Sequence, residues 1–544
     1  MSGRADPVVD EGGQRVDAVV VQGVQGADLI VDQEADGPGQ QARRETASQI
    51  RGSALFLFGR ALAMGINFIV QVVIVRYLTK AEYGAFAYAL AIVNTGEMIV
   101  TLGLDQALTR FLSIYDEERD YPRMLGTILL ALATILSLGL ALVLIVIGLQ
   151  GTLVGQVVND SQATALLVIL IALSPIQALD DVIMGLFAVF AAPRAIFVRK
   201  YLLDPGLKLA VVGLLVLSAS DVTLLAWGYL LAGAAAVLLY GYMSVDLLRR
   251  HGALPHLDIH RLEVPAREVF SFTLPLLTTN LVFIVLNTSD ALLLEHFQGP
   301  EAVAAWRVVQ PLAGLNQLGV SSFALLYTPV AARLFARHDG PGLDHLYWQT
   351  AVWLALITFP LFAATFALAD PLMTWFYGPR YAASAPFLAL LSLGYYVSAA
   401  LGFNGLTLRV VGVIRYIVVV NLAAVAVNLV LNIVLILRFG PLGAAIGTAV
   451  TLILRNVLNQ IGLRSSTSVQ LLSRAHLPVY GSILIAALLL LVLQVAFHPG
   501  PIVGIAAVLI ASAAVLGSNR RALEVASTFP ELLRLPFARR IFGA

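Results

Sequence analysis

The chain predicts an all-α, polytopic membrane protein of about fourteen transmembrane helices. Two six-helix lobes, related as a parallel repeat, are expected to surround a central cavity, with two extra carboxy-terminal helices. Three observations predict this. Long apolar runs recur from Ser53 to about Gly517, and hydrophobic residues make up 59% of the chain against 12% charged, with a mean hydropathy of +0.86. Soluble domains are about 45–50% apolar and about 25% charged. The breaks between the runs alternate between basic and non-basic, and the order of the runs hides a repeat.

The alternation fixes topology. One side collects Arg43, Arg44 and Arg51, then Arg110, Arg119 and Arg123, then Arg194, Arg199 and Lys200, then Arg249, Arg250, Arg261 and Arg267. It continues with Arg333 and Arg337, Arg409 and Arg415, Arg464 and Arg474, and Arg520 and Arg521. The opposite side has Arg76, Lys80, Arg380 and Arg438, and its other breaks lack Lys and Arg. Short loops rich in Lys and Arg stay in the cytoplasm. An even number of spans in the cytoplasmic membrane, with both termini inside, is therefore expected.

Runs of about 20 apolar residues place spans near 53–75, 84–109, 124–149, 163–190, 196–217 and 222–247. A second set lies near 270–294, 303–330, 350–369, 385–407, 414–437, 441–463, 478–497 and 501–517. The domain reading is an N-lobe over 51–248, a cytoplasmic inter-lobe link over 249–269, a C-lobe over 270–463 and the two added spans over 464–517. Residues 1–50 have the composition of a disordered acidic tail, and a wrongly assigned start site explains the same composition. No cleavable signal is apparent there, so the first span is expected to act as its own insertion signal. Residues 518–544 form a basic, amphipathic tail that fits either the inner membrane surface or solvent.

Shifting the sequence by about 220 residues sets Asn67 on Asn287, Gly185 on Gly405 and Lys208 on Asn428. Six spans separate the copies. An even number keeps both halves in one orientation, related by an axis along the membrane normal.

Polar stripes with a period near 3.6 mark the expected cavity. They run through Arg60, Asn67 and Gln71 on the first span and through Asn94, Glu97, Thr101 and Asp105 on the second. Asn280, Asn287 and Asp290 lie on the seventh span, and Arg307, Gln310, Gly314, Gln317 and Ser321 on the eighth. Ionised side chains at mid-bilayer cost roughly 2.5–3.5 kcal/mol and so face a bundle interior or water. The substrate-binding candidates are Arg60, Asn67, Gln71, Arg307, Gln310, Gln317, Lys208 and Arg455. Guanidinium pairs well with phosphate oxygens, which favours an anion. The ion-coupling candidates are Glu97, Asp105, Asp180, Asp181 and Asp290. Arg60, Arg307 and Asp290 lie close enough to a span end to snorkel, and Lys208 has Asp204 one turn away as an internal partner. Asn421, Asn428 and Asn432 form a further stripe, read as interhelical packing.

Several classes are excluded or disfavoured. No GxxxxGK[ST] loop or large soluble domain is present to hold a nucleotide, and no HExxH-type metal cluster appears, so no cofactor is expected. There are no cysteines, which removes disulfides and thiolate chemistry. The net charge of +1, with arginines spread over loops, argues against nucleic acid. The loops opposite the basic side are too short for the site of a glycan polymerase or ligase, so the chain is not expected to be an enzyme.

The segments Gly59-Arg60 and Leu78-Thr79-Lys80-Ala81-Glu82-Tyr83-Gly84 resemble the opening of bacterial polysaccharide flippases. So do Gly103-Leu104-Asp105-Gln106-Ala107 and Arg110-Phe111. Asn428–Ile433 followed by Phe439–Thr448 is similar to the hallmark of the multidrug/oligosaccharidyl-lipid/polysaccharide (MOP) exporter superfamily at spans 11 and 12. The resemblance covers residues 50 to about 517. It implies a V-shaped, MATE-like bundle with alternating access. It also implies a flippase for polyprenyl-diphosphate-linked oligosaccharide, with membrane lipids and the polymerase and glycosyltransferases of one pathway as partners. The alternatives are a peptidoglycan lipid-precursor flippase or cation/drug antiporter of the same superfamily, or a non-transporting subunit of a polysaccharide synthesis complex.

Overall fold

The computed structural model describes residues 59–156, 160–190, 196–252, 262–471, 473–497 and 500–523. The amino-terminal tail, residues 253–261 of the link and the carboxy-terminal tail from 524 lie outside the described residues. So do the side chains of Asn280, Asn287 and Ser321.

The first half contributes α1 (Gly59–Tyr77), α2 (Lys80–Glu117), α3 (Tyr121–Gln156) and α4 (Ser161–Val189). It ends with α5 (Asp204–Leu217, preceded by the π-helical turn Val198–Leu203) and α6 (Val222–Arg250). The second half begins with α7 (Ala266–Gln298) and a broken α8, made of Pro300–Arg307, Gln310–Gly314, the 3₁₀ turn Leu315–Gln317 and Leu318–Ala336. Then follow α9 (Gly340–Ala367), α10 (Pro379–Val410), α11 (Ile414–Phe439), α12 (Pro441–Ser466), α13 (Leu477–Phe497) and α14 (Pro501–Ser518). A short helix, Ala369–Tyr377, joins α9 to α10. Among the described residues, eleven of these are long and apolar enough to cross a membrane. Of the others, α5 is brief and α8 is broken.

Two six-helix lobes, α1–α6 and α7–α12, flank a central cavity, and α13 and α14 pack on the outside of the second lobe against α9. The lobes meet chiefly where α7 and the first piece of α8 lie on α2. Local chemistry sets these elements. The α2 helix starts at a capping box: Thr79 accepts from the Glu82 backbone while Glu82 accepts from the Thr79 backbone at 2.8 Å. It bends at Leu102 and Gly103, both with positive φ, a conformation that glycine adopts without steric cost. The bend sets Asp105 at the head of the following helical stretch, Leu104–Glu117.

The break in α8 has an equally plain cause. Pro311 lacks the N–H that would bond the carbonyl of Arg307. Non-helical backbone at membrane depth is tolerated only where it is buried in protein or lines a wet cavity. Here it lines the cavity.

Candidate functional site

The central cavity has a volume of about 610 Å³. Its first-lobe wall is α2, through Ala91, Asn94, Glu97 and Met98. The opposite wall is built by Thr288 and Asp290 of α7, Arg307, Gln310 and Gln317 of α8, Tyr395 of α10, and Thr448 and Arg455 of α12. Charge is split between the walls: a carboxyl on one faces two guanidiniums on the other.

Arg307 sits at the end of the first piece of α8, where the helix breaks. Its Nη1 donates to Gln310 Oε1 at 3.1 Å, and its buried Nε has no partner. Asp290 is near enough to act electrostatically on Arg307, yet no ion pair joins them among the described residues. The carboxylate is held elsewhere. Thr448 Oγ1 donates to Asp290 Oδ2 at 3.0 Å, and Asn432 Nδ2 donates to Asp290 Oδ1. Asn432 Nδ2 also reaches Asn428 Oδ1 at 3.1 Å, and Ser289 Oγ donates to that same oxygen at 3.3 Å. This chain of bonds ties α7, α11 and α12 together. Asn428 and Asn432 are therefore interhelical glue, and they also hold Asp290 off Arg307. Arg455 has no hydrogen bond or ion pair among the described residues. Tyr395 lies within electrostatic reach of both arginines.

Six of the thirteen sequence-derived site residues share this cavity: Glu97, Asp290, Arg307, Gln310, Gln317 and Arg455. The others go elsewhere. Arg60 and Asn67 are exposed on α1 and do not line the cavity. Gln71 donates to the Tyr83 hydroxyl, joining α1 to α2. Lys208 lines a small cavity of about 80 Å³ inside the first lobe, together with Asp180. There Lys208 Nζ is 3.0 Å from Asp204 Oδ2, and Asp180 Oδ1 accepts from Arg199 Nε at 2.8 Å. Asp105 and Asp181 line an open recess between α2 and α4. The Asp181 carboxyl is a hydrogen-bonding neighbour of Glu97, so the recess adjoins the central cavity through these two groups.

Sequence reasoning missed Tyr395, Trp306 and Thr448. An aromatic or threonine in an apolar helix carries no local mark of facing a cavity. The break in α8 was findable, since Pro311 and Gly314 interrupt a polar stripe. Discontinuous helices at the midplane are where transporters bind substrates.

The model of the polysaccharide biosynthesis protein family matches residues 50–335, just over half of the chain. The chain belongs to that family. A MatE model also matches residues 275–434. Among curated relatives, an uncharacterized membrane protein of Methanocaldococcus jannaschii is 23% identical over 73% of this chain and 80% of its own length. A probable low-salt glycan biosynthesis flippase of Haloferax volcanii, Agl15, is 20% identical over 47% of this chain, which spans only 52% of that protein. Among solved structures, the lipid II flippase MurJ in an inward closed conformation is similar over 87% of this chain and 99% of its own (TM-score 0.64, 14% identity). An inward-facing multidrug resistance MATE transporter of the MOP superfamily is similar over 74% of this chain and 93% of its own (TM-score 0.59, 14% identity). The chain is thus a multi-pass membrane protein of the polysaccharide biosynthesis family with the MATE-like fold.

Proposed function

We propose that the protein moves a polyprenyl-diphosphate-linked oligosaccharide across the cytoplasmic membrane by alternating access, from the Arg-rich, cytoplasmic side to the Arg-poor side. Both termini lie in the cytoplasm. Residues 51–248 and 270–463 act as the two moving lobes, with 464–517 as an accessory pair. The observation that carries this reading is the pair of guanidiniums, Arg307 and Arg455, facing the cavity with no ion pair among the described residues. An unpaired cation held in a low-dielectric site is costly until an anion arrives, and guanidinium is shaped for phosphate oxygens. A diphosphate supplies that anion. The description of the Haloferax relative as a glycan biosynthesis flippase supports the same class of substrate. Membrane lipids and the glycosyltransferases and polymerase of the pathway are the expected partners, and translocation involves no catalytic residue.

Glu97 favours a second reading, a cation or drug antiporter, because it puts a carboxyl in the same cavity with Asp181 beside it. Export of the lipid-linked glycan decides between the two. The double variant Arg307→Ala/Arg455→Ala is expected to lower export at least about tenfold at near-normal protein levels, the equivalent of about 1.4 kcal/mol of lost binding. Wild-type export by this variant overturns the anion assignment.

A further inference from the structure

At the Arg-poor end of the lobes, contacts tie each lobe to a helix end of the other. From the first lobe, Arg76 at the end of α1 donates through Nε to the Phe376 carbonyl at 2.8 Å, and through Nη2 to the Trp375 carbonyl. These carbonyls belong to the last turn of the short helix Ala369–Tyr377. From the second lobe, Arg380 donates through Nη2 to the Leu78 carbonyl at 2.7 Å and to the Val75 carbonyl. Those carbonyls lie at and just past the end of α1. The last carbonyls of a helix have no intrahelical partner and carry the negative end of its dipole. Each arginine thus caps the helix end offered by the opposite lobe.

The surroundings join the same two surfaces. The Phe68 and Phe376 rings meet edge to face at 5.0 Å, and Lys80 Nζ lies 5.5 Å from the Tyr381 ring centre. Gly84 of α2 lies so close to α8 that a Cβ there would come 1.8 Å from the Pro300 carbonyl oxygen. On the Arg-rich side the lobes touch differently, through the link and the start of α7. There Arg123 bonds Glu263 at 2.8 Å and Arg110 lies 4.8 Å from the Phe272 ring. These contacts involve the segment that already connects the lobes, so they need not break when the lobes separate. The reciprocal caps must.

We propose that Arg76 and Arg380 form a latch that holds the Arg-poor mouth shut and is broken once in each cycle of opening to that side. Backbone carbonyls as acceptors fit this role. They cannot be protonated, and each freed helix end can be satisfied by water once the mouth opens. The latch rests on the alternating-access reading, but its test does not need the glycan.

The chain has no cysteine of its own, so a single Asn94→Cys, at an exposed position of the cavity wall, reports access to a membrane-impermeant maleimide. Labelling is followed separately from the two sides of the membrane in reconstituted vesicles. With the latch intact, labelling is expected to be fast from the Arg-rich side and slow from the other. Arg76→Ala/Arg380→Ala is expected to raise labelling from the Arg-poor side at least about fivefold, given the usual net worth of charged hydrogen bonds, and to lower it from the Arg-rich side. Gly84→Val, which wedges α2 from Pro300, is expected to shift labelling in the same two directions. Misfolding would raise labelling from both sides at once, so the opposed changes separate opening from damage. Unchanged labelling in both variants, with slow but measurable wild-type labelling from the Arg-poor side, overturns the latch and leaves alternating access standing. No labelling from that side in any form of the protein overturns alternating access and the latch together.

Discussion

Asn432 is predicted to protect the anion site by restraining a competitor. Its Nδ2 holds Asp290 Oδ1 and, at 3.1 Å, Asn428 Oδ1, while Thr448 holds the other Asp290 oxygen at 3.0 Å. Replacing Asn432 with Leu removes two hydrogen bonds between buried groups. Only the bond to Asp290 is interhelical and holds the carboxylate; such bonds average about 0.6 kcal/mol and reach about 1.7 kcal/mol in membranes, so the hold weakens by roughly 0.6–1.7 kcal/mol. The nearest cation able to compensate is Arg307, whose Nε is unpartnered. An Asp290 turned onto Arg307 competes with a bound diphosphate, and about 1.4 kcal/mol of competition is a tenfold loss. The assay is calorimetric binding of inorganic pyrophosphate to purified protein. Asn432→Leu is expected to bind about tenfold more weakly than wild type, and Asp290→Asn added to it is expected to restore binding. A packing defect alone would not be reversed by a second change next to it. If Asn432→Leu binds like wild type, or if the double variant stays weak, the restraint argument fails.

Topology is checked by reporter fusions: those after Asp221 and Gln298 are expected outside, and those after Arg199, Arg337 and Arg474 inside. A cytoplasmic signal at Gln298 would break both the span count and the parallel repeat. Arg307→Lys is expected to retain only part of wild-type export, because a point charge cannot reproduce the bidentate fork. Equal export by the lysine variant would argue for simple charge. Coupling to a proton gradient requires a carboxyl that titrates in the membrane, and Glu97 with its neighbour Asp181 is the candidate pair. If Glu97→Gln and Asp181→Asn both keep the wild-type dependence of transport on an imposed pH gradient, the pair is structural.

What could be read from the sequence divides by the range of the interaction. Span positions rest on hydropathy, which is a local property, and the α-helical two-lobed fold followed from them. The Lys208–Asp204 pair was equally legible, because a separation of four residues puts two side chains on one helix face. Arg199 with Asp180 was not, since nineteen residues separate them and only the packing of α4 against the turn before α5 brings them together. The polar stripes failed in a specific way. The 3.6 period says that residues share a face, and it does not say what the face meets. Arg60 and Asn67 on α1 gave the same signal as Arg307 and Gln310 on α8, yet the first pair is exposed and the second lines the cavity.

The difference between α1 and α8 lies in their backbones. Gly59–Tyr77 is a continuous helix, which needs nothing from its surroundings to satisfy its main chain. The α8 helix is interrupted around residues 308–317, where Pro311 removes a main-chain donor, and irregular backbone of this kind exists at membrane depth only beside protein or water. A proline that breaks a helix just past a buried arginine therefore locates a cavity more firmly than a periodic stripe does. The same constraint makes the two lobes unequal despite their shared topology. The broken element sits in the second lobe, and both guanidiniums of the central cavity sit there with it. The stretch of α2 that faces it, continuous over Lys80–Thr101 in the first lobe, offers carboxyl and amide groups instead. A substrate with a diphosphate at one end and hydroxyl-rich sugars at the other would meet each lobe with a different part of itself. Relative motion of the lobes would then change the grip on both ends at once, as a carrier that opens to alternate sides requires.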